Sequence, residues 1–318
     1  MRFGTFAAQG WKGDQDGVPL EEQWQRTVDL ATLAEEAGYD SLWVYDHFHS
    51  HPVVKQETVF EAWTLMASLA VATSRVRLGQ MCTCALYRPP SYLAKVASSI
   101  DVISGGRLDV GIGAGWSQGE FEAYGYEFPS DGTRIDMLEE TVQILKAMWT
   151  EDEATFVGDH YRVEGAINRP KPIQTPHPPL WIAGGGEKRT LRIVAEHADF
   201  ANFGDGVAVF RRKSSVLAEH CEAVGRPYGQ IGRTTHQMSV IGSDQADLAR
   251  KLEIAARRRS CTPEEFRAEH FAATVAEAVD TMGEFASEGC TDVILYFYDM
   301  GESDSLEVFA SDVMPQLR

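Results

Sequence analysis

No two cysteines in this chain are spaced as CxxC, and none stands at a metal-ligand interval from a histidine. Cys82, Cys84, Cys221, Cys261 and Cys290 are odd in number and scattered, which argues against a disulfide framework or a structural zinc site and predicts mostly reduced, buried thiols. Long apolar runs are missing too. The longest, 41–45 and 293–297, fall far short of the ~20 residues that span a bilayer, so neither a transmembrane helix nor a membrane partner is expected. Positive charge is scarce: 29 Lys and Arg stand against 47 Asp and Glu, a formal net charge of −18. Such a field repels nucleic acid and anionic membranes, and any anionic ligand must be held by a local cluster. Residues 1–6 lack the charged segment, apolar run and cleavage site of a secretory signal and read directly as a strand, which makes the cytoplasm the expected compartment. There is no internal repeat and no low-complexity segment.

What is present is the balance of a globular chain, 44% hydrophobic and 24% charged over 318 residues, arranged as short β-branched runs alternating with longer amphipathic ones. The runs predict strands at 2–6, 41–45, 76–82, 107–113, 179–183, 200–203, 236–241 and 292–297. Helices are predicted at 20–37, 59–73, 90–104, 134–150, 188–197, 207–224, 245–258 and 275–288, with a final one at 305–314. Gly38, Gly105-Gly106 and Gly289 stand as stop signals. Eight strand–helix units without a linker fit one closed parallel barrel, a (β/α)8 TIM barrel over 1–318, better than an open sheet. The excess over the typical ~250 residues falls at about 151–178. There 154–157 and 161–163 flank Gly158-Asp159 as a hairpin, and a proline-rich stretch follows.

Barrel chemistry sits at the carboxyl ends of strands. The second strand runs into Asp46-His47-Phe48-His49-Ser50-His51, whose histidines read as acid–base groups near neutral pH or as metal ligands. Asp46-His47, at the strand end itself, is the most site-like pair. The third strand ends in Gly79-Gln80-Met81-Cys82-Thr83-Cys84, small and sulfur-bearing residues that let a flat ring approach, or an ordinary core edge. The fourth carries Gly111, Gly113, Ala114 and Gly115. The dinucleotide fingerprint GxGxxG fails there because Trp116 takes the sixth position, so these glycines read as clearing a rim. The fifth leads into Gly184-Gly185-Gly186-Glu187-Lys188-Arg189 before a helix. Its exposed N–H groups suit a phosphate, with Lys188 or Arg189 adding charge, or form a plain turn.

As an ordered set, 37–43 with Asp46-His47, 88–95, 103–108 with 111–115, and 179–186 resemble the luciferase-like monooxygenase superfamily, and more narrowly its members that use coenzyme F420. The resemblance implies a cleft for a flavin-like tricycle, with a non-proline cis peptide at Met81–Cys82 beneath it. His47 is implied as the catalytic residue. Asp46, Met81, Cys82, Thr83, Gly113, Ala114, Gly115, Gly184, Gly185, Gly186 and Lys188 are implied as cofactor contacts. It implies hydride transfer between F420 and a small organic substrate, with FMN in a two-component monooxygenase as the alternative, a homodimer, and a separate flavin or deazaflavin reductase as partner. Where some deazaflavin members carry an acid near 115–116 this chain has Trp116, leaving only the more distant Glu120. A metal-dependent hydrolase built on His47-Phe48-His49 and a non-catalytic flavin binder are the other classes; later strands end without the further histidines a hydrolase needs, and no metal is expected.

Overall fold

The computed structural model describes residues 1–318. Its strands are β1 (Arg2–Phe6), β2 (Ser41–Val44), β3 (Arg77–Gln80), β4 (Leu108–Gly113), β5 (Leu180–Ala183), β6 (Phe200–Phe203), β7 (Gly232–Gly242) and β8 (Asp292–Phe297). The sheet order is β7-β8-β1-β2-β3-β4-β5-β6, with β6 again beside β7: a closed parallel (β/α)8 barrel. The helices are α1 (Leu20–Glu36), α2 (Ala62–Ala72), α3 (Pro90–Ile103), α4 (Asp131–Thr150), α5 (Thr190–His197), α6 (Val207–Val224), α7 (Gln245–Arg259), α8 (Pro263–Glu269), α9 (Val275–Ser287) and α10 (Ser305–Val308). No helix is long and apolar enough to cross a membrane. Every residue of β2, β4 and β8 is buried, which is why these strands read as continuous apolar runs rather than alternating ones.

The chain divides into two compact units. The first holds Met1–Glu61, Phe203–Arg212 and Gly232–Arg318, with β7, β8, β1 and β2 side by side; Gly4 pairs with Ile294 on one flank and Ser41 on the other. Gly38 and Gly289 close α1 and α9 at φ 90° and 80°, the left-handed geometry that glycine adopts without a Cβ penalty. Between β7 and α9 the chain makes an excursion that the periodicity did not separate from the regular repeat. α7 and α8 are followed by a short strand, Phe271–Thr274, which pairs in parallel with Ser239–Gly242. Arg258, near the end of α7, donates to the carbonyls of Tyr298 at 2.7 Å and Met300 at 3.0 Å. This fastens α7 to the loop beyond β8.

The second unit holds Ala62–Asn202 and Lys213–Ile231, with β3, β4, β5 and most of β6 adjacent; Gly79 pairs with Asp109, Val110 with Leu180 and Ile182 with Ala201. Ala154–Val157 and Arg162–Ala166 form an antiparallel hairpin, and Glu140 of α4 accepts from the N–H groups of Asp159 and Tyr161 at 2.8 Å each. The proline-rich stretch behind it is pinned by buried Asp101, whose carboxylate accepts from the backbone of Ile173 at 2.7 Å and Gln174 at 3.1 Å.

Candidate active site

In the first unit the loop after β1 is built to hold the end of β2. Gln9 accepts from the Tyr45 N–H at 2.8 Å and donates to the carbonyls of Tyr45 at 2.7 Å and Phe60 at 2.8 Å. Gly10 has φ 104°, and a Cβ there would meet the Thr58 carbonyl oxygen at 1.9 Å, so only glycine lets the backbones approach. The turn presents Trp11 flat against His47, with ring centroids 4.2 Å apart and planes within 2°. Asp46 beside it is buried. His51 also faces the Trp11 ring, at 5.5 Å between centroids, and its N–H donates to the Trp11 carbonyl.

Behind this stack, Tyr45 lies on Phe6, centroids 4.2 Å apart, and shares a 3.0 Å hydrogen bond with His236 of β7. Burial first, then the nearby Lys12, holds His236 down to about 3, so it is a neutral imidazole at physiological pH. Lys12, buried with its ammonium 3.8 Å from the Trp11 ring centroid, is lowered to about 7 by burial first and by Arg259 second, against Asp14. Neither residue was singled out by the sequence. Lysine and histidine acquire this character only from what surrounds them.

In the second unit the ends of β3, β4 and β5 meet. The Met81–Cys82 peptide is cis, at the bond where the resemblance places it. A Cβ on Gly113 would stand 2.7 Å from the Cys82 sulfur and 3.3 Å from the Ala183 carbonyl oxygen, and one on Gly115 2.7 Å from the Cys84 sulfur. These glycines therefore make room for the Cys82 and Cys84 thiols within the protein itself. Thr83 and Gln80 are fully buried, and the Thr83 hydroxyl and Gln80 amide have no partner in the chain. Trp116 is 58% exposed. Glu120 is buried in the short helix Gln118–Ala123 and accepts from the Tyr87 hydroxyl at 3.3 Å, so the carboxylate that looked remote in the sequence is packed beneath this rim.

The turn Gly184–Gly186 leads into α5. The cation that meets it is Lys213 of α6: a Cβ on Gly185 would fall 1.8 Å from its ammonium, and one on Gly186 2.7 Å from the Thr190 hydroxyl. Lys188 is exposed, and Arg189 is engaged with Asp136 and the Gly132 carbonyl of α4. An ammonium, a hydroxyl and a glycine turn at the start of a helix are the donor chemistry of a phosphate seat, so the residues present fit a phosphate-bearing cofactor. The one group of metal-capable side chains drawn together is Glu139, Glu196 and His197 on α4 and α5, and none of the histidines after β2 belongs to it.

The family model for luciferase-like monooxygenase matches residues 1–289. The chain belongs to that family. It is therefore an enzyme of the oxidoreductase kind. An F420-dependent glucose-6-phosphate dehydrogenase of Kineococcus radiotolerans is 27% identical over 96% of this chain and 99% of its own length. The pyrimidine monooxygenase RutA of an Enterobacter species is 32% identical over 61% of this chain and 52% of its own. A solved F420-dependent secondary alcohol dehydrogenase superposes with TM-score 0.82 over 100% of this chain and 99% of that one at 21% identity. At that identity the likeness establishes the fold.

Proposed function

We propose that this family member transfers a hydride between coenzyme F420 and a small organic substrate, with the whole chain 1–318 acting as one luciferase-like domain that carries an excursion at about 151–178. The observation that carries the reading is His47 held flat on Trp11 at the end of β2, an imidazole fixed in plane to give or take a proton. The deazaflavin is preferred because the dehydrogenase relative is similar over 96% of this chain, whereas the monooxygenase relative is similar over 61%.

Asp46, Met81, Cys82, Thr83, Gly113, Ala114 and Gly115 are assigned to the ring of the cofactor. Gly184, Gly185 and Gly186 are assigned to its phosphate, with Lys213 as their cation and Lys188 on the outer side of the turn. When bound, the deazaflavin supplies the hydride chemistry. The chain's own part is to orient His47 through Trp11, to keep water from the buried turn after β1, and to exchange one proton at the imidazole. The enzyme is proposed to be cytoplasmic and homodimeric, with a separate reductase recycling the cofactor.

Anaerobic titration with F420 and with FMN, followed by turnover with and without air, tests the reading. F420 binding with oxygen-independent turnover is expected. FMN binding with oxygen consumption in the presence of a flavin reductase would transfer the protein to the monooxygenase reading, which the similarity to the pyrimidine monooxygenase favours. Binding of neither would remove both.

A further inference from the structure

Within the first unit, Arg259 Nη1 and the Tyr298 hydroxyl are buried without an acceptor, and Lys12 lies buried against Trp11. Lys12 is 4% exposed, and the partner of its ammonium is a ring, not a carboxylate. Asp14, the acid that favours its charge, is already committed: its carboxylate accepts from the Gly10 N–H and from the Tyr296 hydroxyl, each at 2.9 Å. Arg259, the last residue of α7, donates from Nε to His270 at 3.2 Å and faces Glu269 with Nη2 at 3.4 Å, leaving Nη1 buried with no acceptor.

Tyr298, the first residue beyond β8, is 1% exposed, and its hydroxyl is likewise buried without a partner. Its ring lies along that of His270, centroids 5.7 Å apart. Burial, then Arg259, hold His270 down to about 4, so it accepts from Arg259 as a neutral ring. Arg259 and Tyr298 meet at the same His270 ring, one through Nε and the other by ring contact, and after burial Arg259 is the leading charge acting on Lys12. Most buried donors in folded chains find an acceptor in the protein or in ordered water, so two left without one at the same ring mark a place suited to a ligand oxygen.

We propose that Lys12, Arg259 Nη1 and the Tyr298 hydroxyl form the seat of an oxyanion, carboxylate or phosphate, carried by the substrate. The excursion after β7 has a purpose in this reading. It delivers a guanidinium to the loop beyond β8 in a protein whose net charge of −18 would otherwise repel an anionic substrate. Only the word substrate rests on the oxidoreductase reading; the anion seat itself does not.

The test is a thermal-shift and intrinsic-fluorescence titration of the intact protein with inorganic phosphate and, separately, with succinate. Ionic strength is held constant with chloride. Saturation at millimolar concentration by one of the two is expected, and which one responds assigns the anion. Tyr298→Phe, which keeps the ring packing, and Lys12→Met should each weaken the response at least fivefold. Lys213→Ala removes only the phosphate binding that belongs to the glycine turn and should leave the Lys12-dependent response in place. No saturable response to either anion, or a response lost with Lys213→Ala and retained in Tyr298→Phe and Lys12→Met, overturns the proposal. A parallel F420 titration separates the two readings: anion binding that depends on Lys12 in a protein that takes up no F420 or FMN keeps the seat and discards the hydride-transfer function.

Discussion

His47 owes its assignment to position, at the end of β2, and its orientation to Trp11, a residue 36 positions earlier in the chain. Replacing His47 by Asn should lower kcat by about 100-fold or more, within the range of general acid–base catalysis, while F420 affinity changes little; steady-state kinetics beside a cofactor titration checks this, and unchanged kcat would remove His47 from proton transfer. His236 gives a prediction of the opposite kind, about stability. Its folded value of about 3 lies below the ordinary 6.5. Below pH 6.5 the unfolded chain therefore takes up a proton that the folded chain refuses, so stability is full above 6.5 and is lost as pH falls toward 3. The slope is about 1.4 kcal/mol per pH unit at most. His236→Asn, which leaves a polar partner for Tyr45, should flatten the decline of the urea midpoint between pH 6 and 4 relative to the native protein. An equal decline in both would refute the assignment.

Elements show where periodicity is informative and where it fails. The eight barrel strands and the long helices are legible because each buries enough apolar residues to leave a period; β6, β8 and α6 have the ends that the pattern predicts. Short pieces leave none. α8 has one buried residue, Phe266, too few for a stripe, although its capping box, Thr262 with Glu265, stands in the sequence as a signal that could have found it. The β7–α7 junction is tight: a Cβ on Gly242 would stand 2.4 Å from the Leu248 backbone nitrogen. Gly242→Ala should therefore cost about 1–3 kcal/mol, as overpacking does, read from urea denaturation. At the α5 turn, Lys213→Ala should raise the dissociation constants of F420 and FMN by about 10- to 150-fold, since a charge-assisted bond is worth about 1.5–3 kcal/mol. Calorimetric titration decides it, and an effect from Lys188→Ala alone would return the role to the residue that the sequence suggested.

Across the whole molecule, a net charge of −18 makes self-repulsion the dominant long-range force. Raising NaCl from about 10 to about 150 mM shortens the screening length from about 30 to about 8 Å, so the thermal midpoint should rise; a fall would show that local ion pairs outweigh the net field. The strand–helix alternation, the strand-end positions of His47, Cys82 and Gly184–Gly186, and the family itself all follow from order along the chain, since burial period and turn chemistry are local properties. The stacking of Trp11 on His47, the approach of Lys213 to Gly185 in place of Lys188, and the convergence of Lys12, Arg259 and Tyr298 have no local signature. They join residues separated by 28 to 286 positions, and burial there leaves an ordinary lysine, arginine and tyrosine in want of a partner. That want is an electrostatic property of the packed interior, and it exists only once water has been removed from around them.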